Sequence, residues 1–256
     1  MKKCHYEKSL SYFFAFLFVL LATSMITQGC AAKSSKNSKR ETERISSNSD
    51  AKSGNELYVD LGLPSGTLWA TMNVGATSPE DYGDYFAWGE TTTKDVYSWS
   101  TYKWCRGDDL GKLTKYSPKG DYDYDQVDDK TELDLADDAA YVNWGPQWRM
   151  PSEEQIQELH DNCTSEWTTR NGVNGCLVTS KRNGESLFFP AAGYHCEGEG
   201  EPGEVGSYGN YWSRTLYESD PGIAYHLSFD SEIVDWDGAW DRTVGRSVRA
   251  VRVSQK

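Results

Sequence analysis

Residues 224–240 read "AYHLSFDSEIVDWDGAW". Tyr225, Leu227 and Phe229 alternate with His226, Ser228 and Asp230. A period of two marks a half-buried strand, because successive side chains leave opposite faces of the pleat. The apolar set is expected to fill a core face, with His226, Ser228 and Asp230 facing out. The following "VDWDGAW" is expected as a strand end and loop, with Gly238 permitting a tight bend. Trp236 and Trp240 stand there among Asp235, Asp237 and Asp241.

Similar runs surround this stretch. "GNYWSRTLY" (209–217), "GIAYHLSF" (222–229), "EIVDW" (232–236) and "RSVRAVRV" (246–253) read as strands. Upstream, Asn183-Gly184 between two apolar runs is a hairpin signal. Two helices are expected. "LADDAAYVNWG" (135–145) has acidic residues in its first turn and Gly145 as a stop. "SEEQIQELHDNC" (152–163) follows Pro151, with Ser152 as N-cap and Gln155 at the reciprocal capping position. Ile156, Leu159 and Cys163 share its apolar face.

Leu57 to Leu61 reads as an opening strand, Pro64-Ser65-Gly66 as a turn, and Thr67 to Val74 as a second strand. From "DYGDYFAWGE" (81–90) to about Asp134 the periodicity is low, as in long functional loops or irregular packed segments. Few helices and many late strands give an α+β class with a largely antiparallel sheet.

The N-terminus reads differently. Lys2, Lys3 and Lys8 precede the apolar run "YFFAFLFVLLATSMI" (12–26), then "TQGC". A basic start, a short apolar core and small residues make an export signal. The run is shorter than the roughly 20 residues a bilayer span needs. Gly29-Cys30 resembles a bacterial lipoprotein cleavage site, although Thr27 stands where such sites usually carry Leu; the resemblance implies an acylated Cys30. Residues 1–29 are thus expected as signal peptide and 30–56, rich in Ser, Asn, Lys and Glu, as a flexible tether. Residues 57–256 are one domain, large enough to bury its own core.

The chain carries a formal net charge of −13. Nucleic acid is excluded as a partner, since phosphate binding needs clustered Lys and Arg. Of six cysteines, Cys105, Cys163, Cys176 and Cys196 fall in the domain. An exported protein permits disulfides, and four cysteines allow three pairings; buried free thiols are the alternative for some of them.

In "DYDYDQVDDKTE" (121–132), Asp121, Asp123, Asp125 and Glu132 match ligand positions of a calcium loop. Gln126 occupies the position where the sharp turn demands Gly, so a solvated acidic loop is favoured and no metal or other cofactor is expected. Arg106-Gly107-Asp108 can engage adhesion receptors, but three residues recur by chance and Gly-Asp is ordinary turn chemistry. No GxSxG elbow is present. His160 is expected at a helix surface, His195 beside Gly-rich backbone. "WGPQWRMP" (144–151) is read as framework, with Trp144 and Trp148 bringing apolar area to the core.

Seven ordered blocks carry a resemblance: "VDLGLPSGTLWATMNVGA", "YGDYFAWGE", "DDAAYVNWGPQWRMPSEEQIQEL", "CTSEWTTRNGVNG", "FFPAAGY", "YWSRTLY" and "GRSVRAVR". Together, over nearly all of residues 57–253, they resemble the Fibrobacter succinogenes major paralogous domain family, common in lipoproteins of gut Bacteroidetes. That family looks related in fold to C-type lectins and formylglycine-generating enzymes. The resemblance implies a C-type-lectin-like domain with paired ends and long loops over one face, on an outer-membrane lipoprotein at either the periplasmic or the surface face. Leu216 and Ala250 replace prolines usual in the family and Arg214 a small polar residue, around what is expected to be the strand-end surface. Formylglycine-generating enzymes use a cysteine pair near their C-terminal strands. Residues 197–256 hold no cysteine, so that oxidase activity does not carry over. Kinship with lectin-like domains that vary the C-terminal surface favours binding. The expected ligand surface comprises Arg214, Tyr217, His226, Ser228, Asp230, Asp235, Trp236, Asp237 and Trp240, facing a glycan or a protein. A glycan-acting enzyme and a structural envelope subunit are the alternatives.

Overall fold

A computed structural model describes residues 57–109, 112–119, 127–196 and 200–253. The expected signal peptide, Cys30, the tether, and Asp121, Asp123 and Asp125 lie outside the described residues. No helix among the described residues is long and apolar enough to cross a membrane.

The fold is α+β. The strands are β1 (Tyr58–Val59), β2 (Thr67–Ala70), β3 (Cys163–Arg170), β4 (Val173–Ser180), β5 (Ser186–Pro190), β6 (Gly209–Leu216), β7 (Ile223–Phe229), β8 (Val234–Asp241) and β9 (Val251–Val253). Helices α1 (Ala139–Trp144) and α2 (Glu153–Asn162) stand between β2 and β3. The strands form three antiparallel sheets, β1-β2-β9, β3-β4-β5 and β6-β7-β8. In the first, Tyr58 lies opposite Ala70, and Thr67 opposite Val253. The two ends of the described domain therefore share one sheet.

Local chemistry explains the helices. Ser152 Oγ accepts from Gln155 N at 3.2 Å, while Gln155 Oε1 accepts from Ser152 N at 3.0 Å. That capping box starts α2 and buries Ile156 and Leu159, with Cys163 buried just beyond. Asp138 caps α1 by accepting from Tyr141 N. The same fully buried carboxylate takes Met150 N and Arg149 Nε at 2.8 Å. Arg149 thus ties the chain entering α2 to the start of α1, and "WGPQWRMP" is framework. Trp144 and Trp148 meet edge to face inside it. The Asn-Gly at 183–184 turns β4 into β5, with Gly184 at φ 74°. A second Asn-Gly, 171–172, joins β3 to β4 with both residues at positive φ, the two-residue turn that suits twisted strands.

Among the described residues, the named elements of the long segment between β2 and α1 are two short 3-10 turns, at Trp99–Thr101 and Leu135–Asp137. Aromatic side chains pin it by donating to backbone carbonyls: Trp88 Nε1 to Ser213 O, Trp104 Nε1 to Gly89 O and the Tyr102 phenol to Trp88 O. Backbone that makes no ladder is satisfied this way, each bond contributing roughly 1 kcal/mol net.

The C-terminal "RSVRAVRV" differs from expectation. Only Val251–Val253 pairs as a strand, and the preceding residues run as buried irregular backbone. Their arginines are the reason. Arg242 is fully buried and donates to the Tyr102 phenol oxygen and to the carbonyls of Tyr116, Pro221 and Lys115. Arg249, also fully buried, donates to Asn73 Oδ1, Ala70 O and Phe188 O and lies over the Phe189 ring. Burial pulls the Arg249 guanidinium down to about 10, against the opposing pull of Tyr211. Carbonyl dipoles and ring faces stand where a carboxylate usually would.

The sheet β6-β7-β8 is covered on both sides. Trp212, Leu216 and Ala224 belong to one apolar cluster, whereas Tyr211, Leu227 and Phe229 belong to another. Leu216 and Ala250 are fully buried, so these two positions, expected around a strand-end surface, lie in the core.

Candidate functional site

The two-sided burial of β7 decides where the expected site residues go. His226 and Ser228 are 5 % and 2 % exposed, so both are buried and neither faces solvent. Alternation still holds, but the second face meets a second cluster. The His226 ring meets Trp212 edge-on at 5.9 Å. Burial, reinforced by the Arg246 charge, pushes its pKa well below the usual histidine value and keeps it neutral. Tyr225, expected in the core, is half-exposed near the end of the strand.

Gly238 is no bend. It sits inside β8, opposite His226. A Cβ there would lie 3.0 Å from His226 Nε2 and 3.1 Å from Asp235 Oδ2. The tight fit at this glycine comes from the close approach of the imidazole and not from a turn.

Two more expected ligand residues are occupied structurally. Asp230 Oδ1 accepts from Glu232 N and Ile233 N, which closes the turn between β7 and β8. Arg214 donates to Glu132 Oε2, Met150 O and Gln155 Oε1. It braces β6 against α2 and is no free arm. Glu132, the described member of the proposed calcium set, is taken up in that ion pair.

The tryptophans part company. Trp240 lies opposite Ala224 and packs on the first cluster. Trp236 packs on the second, with its ring 5.6 Å from that of exposed His160 on α2. Both are partly buried.

What does converge lies where β8 passes the N-terminal end of α2. Glu153 N donates to Thr215 Oγ1, which pins the helix start to β6. Beyond it, Tyr217 and Tyr225 form an edge-to-face pair with centroids 5.2 Å apart, both half-exposed. Burial, and then the carboxylates of Glu153, Glu218 and Asp237, raise the Tyr225 phenol. Burial followed by Glu154 and Asp237 raises the Glu153 carboxyl. Burial, and then the neighbouring Asp237 carboxylate, raise Asp235. An open groove of about 460 Å³ continues from Glu153 along α2 past Glu154, Gln157, Glu158 and Asp161 to Pro64 and Ser65. No Lys or Arg lines it.

Of the nine expected residues, Tyr217 and Asp237 thus meet beside Tyr225 and Glu153, with Asp235 next to Asp237; Trp236 packs instead on the second cluster against His160, and Arg214, His226, Ser228, Asp230 and Trp240 do not join them. Tyr225 and Glu153 were missed. The signal for Tyr225 was present: "LYESDPGIAY" (216–225) carries a turn between two tyrosines, and Tyr217 N donates to Ile223 O across it.

Among the described residues no group of three or more His, Cys, Asp or Glu side chains is arranged to hold a metal ion. Cys105, Cys163, Cys176 and Cys196 form no disulfide with one another, and the last three are buried. Burial raises Cys176 to about 12, far from a reactive thiolate. His195 exchanges backbone hydrogen bonds with Gly245. Comparison with models of protein families, with curated proteins and with solved structures gave no match.

Proposed function

We propose that this chain is a lipid-anchored envelope protein whose domain, of C-type-lectin-like kind, binds a glycan without transforming it. The observation that carries the reading is the half-exposed Tyr217–Tyr225 pair set among Glu153, Glu218 and Asp237. Aromatic faces match the apolar face of a pyranose, and carboxylates accept its hydroxyl protons. Fixed rings also lose little entropy on contact. An acidic surface disfavours anionic partners.

The test is a glycan array probed with the full chain. The reading expects retention of uncharged or amino sugars with no change in the arrayed glycan. Turnover of any glycan favours the enzyme; silence across the array, with intact folding, contradicts glycan recognition. The membrane half of the proposal is tested apart from this: Cys30→Ser is expected to move the protein from the membrane to the soluble envelope fraction, and continued membrane partitioning contradicts acylation.

A further inference from the structure

We propose that Arg106-Gly107-Asp108 is a docking motif for an adhesion receptor of the integrin class, one that takes a carboxylate on a bound divalent cation and a guanidinium in an acidic pocket. In sequence the triplet is indistinguishable from a chance turn. Its display in the fold is the added observation.

All three residues are exposed. Gly107 has φ 81°, yet a Cβ there would meet nothing within 4 Å. The glycine is demanded by backbone conformation and not by packing, and solvent space lies around it. Among the described residues, no hydrogen bond or ion pair holds the side chain of Arg106 or Asp108.

The stem beneath is fixed. Cys105 bridges Leu113 in antiparallel fashion. Arg106 N donates to Lys112 O at 3.1 Å and Thr114 N to Trp104 O at 2.9 Å. Lys112 N and Cys105 Sγ both donate to Asp109 O, at 2.8 and 3.2 Å. Leu113 is fully buried in the third apolar cluster with Tyr102 and Tyr97. These bonds hold the backbone on both sides of the triplet, at Arg106 and at Asp109, which lowers the entropy lost in a complex.

The chemistry selects the partner. A cation and an anion separated by one glycine reject a uniformly basic or acidic surface, since one end is repelled. A receptor must offer both an acidic pocket and an electropositive acceptor for a single carboxylate. A divalent metal with an open coordination position is such an acceptor, with oxygen ligands at roughly 2.0–2.6 Å. The proposal uses residues outside the Tyr217–Tyr225 surface, so either can fail alone.

The experiment measures binding of the full chain to a purified integrin ectodomain that captures linear Arg-Gly-Asp peptides, in manganese buffer. Binding is expected, with release by EDTA and by the soluble peptide. Asp108→Glu keeps the charge but moves it by one methylene, and is expected to weaken binding by about tenfold or more, as loss of an anchoring contact does. The double variant Arg106→Asp, Asp108→Arg keeps composition and net charge and is expected to abolish binding. Both should melt like the parent and keep any glycan retention. Absence of binding by the parent chain in manganese, or equal binding by the charge-swapped variant, overturns the proposal.

Discussion

Tyr217 and Tyr225 meet edge to face across the β6–β7 turn, with centroids 5.2 Å apart and an interplanar angle of 65°. Tyr225 stands on β7 and Tyr217 directly follows β6, and both rings are half-buried. Glu153 reaches it from α2 because Thr215 holds the helix start.

Binding at this surface should weaken on acidification. Glu153 and Asp235 have raised pKa values, so they take up protons at higher pH than the ordinary carboxylate value of about 4. A protonated carboxyl loses acceptor strength. Affinity measured from pH 7 downwards should fall before the ordinary carboxylate range is reached. A flat profile down to pH 4 contradicts a role for these groups.

Gly238→Ala should destabilise the fold by about 1–3 kcal/mol, the usual range for overpacking. The added methyl presses on the His226 ring and the Asp235 carboxyl. Denaturant midpoints check this, with Gly66→Ala as a comparison in which space is open and only backbone strain is added. No change at Gly238 contradicts the close approach.

Trp236→Ala should cost about 1–2 kcal/mol of stability, as partial burial implies, and Phe229→Ala about 3–5 kcal/mol. Trp236 packs on the second cluster from its rim, whereas Phe229 is 1 % exposed inside it. Equal losses would place Trp236 in the core proper.

Stability should fall at both ends of the pH scale, for different groups. Tyr97 and Tyr211 are raised to about 12, chiefly by burial. Their unfolded value is about 10, so the stability they contribute is complete below pH 10 and is lost as pH rises towards 12. Asp134 and Asp137 are lowered. Hydrogen bonds from Lys115 and Lys130 lower Asp134; at Asp137 those from Lys115, Tyr116 and Lys103 outweigh burial. Their contribution is present above pH 4 and lost as pH falls through their folded values. Lys115→Met should remove much of the acid-side dependence in a melting series. An unchanged series contradicts the Lys115 network.

Class, helices and hairpins were legible because their causes are local. Ser152 with Gln155 starts a helix, and Asn-Gly turns a strand, whatever the rest of the chain does. The strand carrying His226 was legible too, but not its burial. Alternation reports two faces and does not say that a second core covers the polar one. The same limit hid the C-terminal arginines. Arg249 read as part of a strand and Arg242 drew no reading, and only the assembled fold supplies the carbonyls and rings that hold them. Site membership failed where side chains were claimed by distant partners: Arg214 by Glu132 and Gln155, and Asp230 by the turn it closes.

The most direct measurement is glycan-array retention of Tyr225→Ala and Tyr217→Ala beside the parent chain, with melting midpoints recorded for all three. Both rings are half-exposed, so the account predicts midpoints within about 1 kcal/mol of the parent in stability. It also predicts a loss of glycan retention equivalent to roughly 1–2 kcal/mol or more for each variant. Undiminished retention with either tyrosine removed contradicts the claim that this pair is the recognition surface.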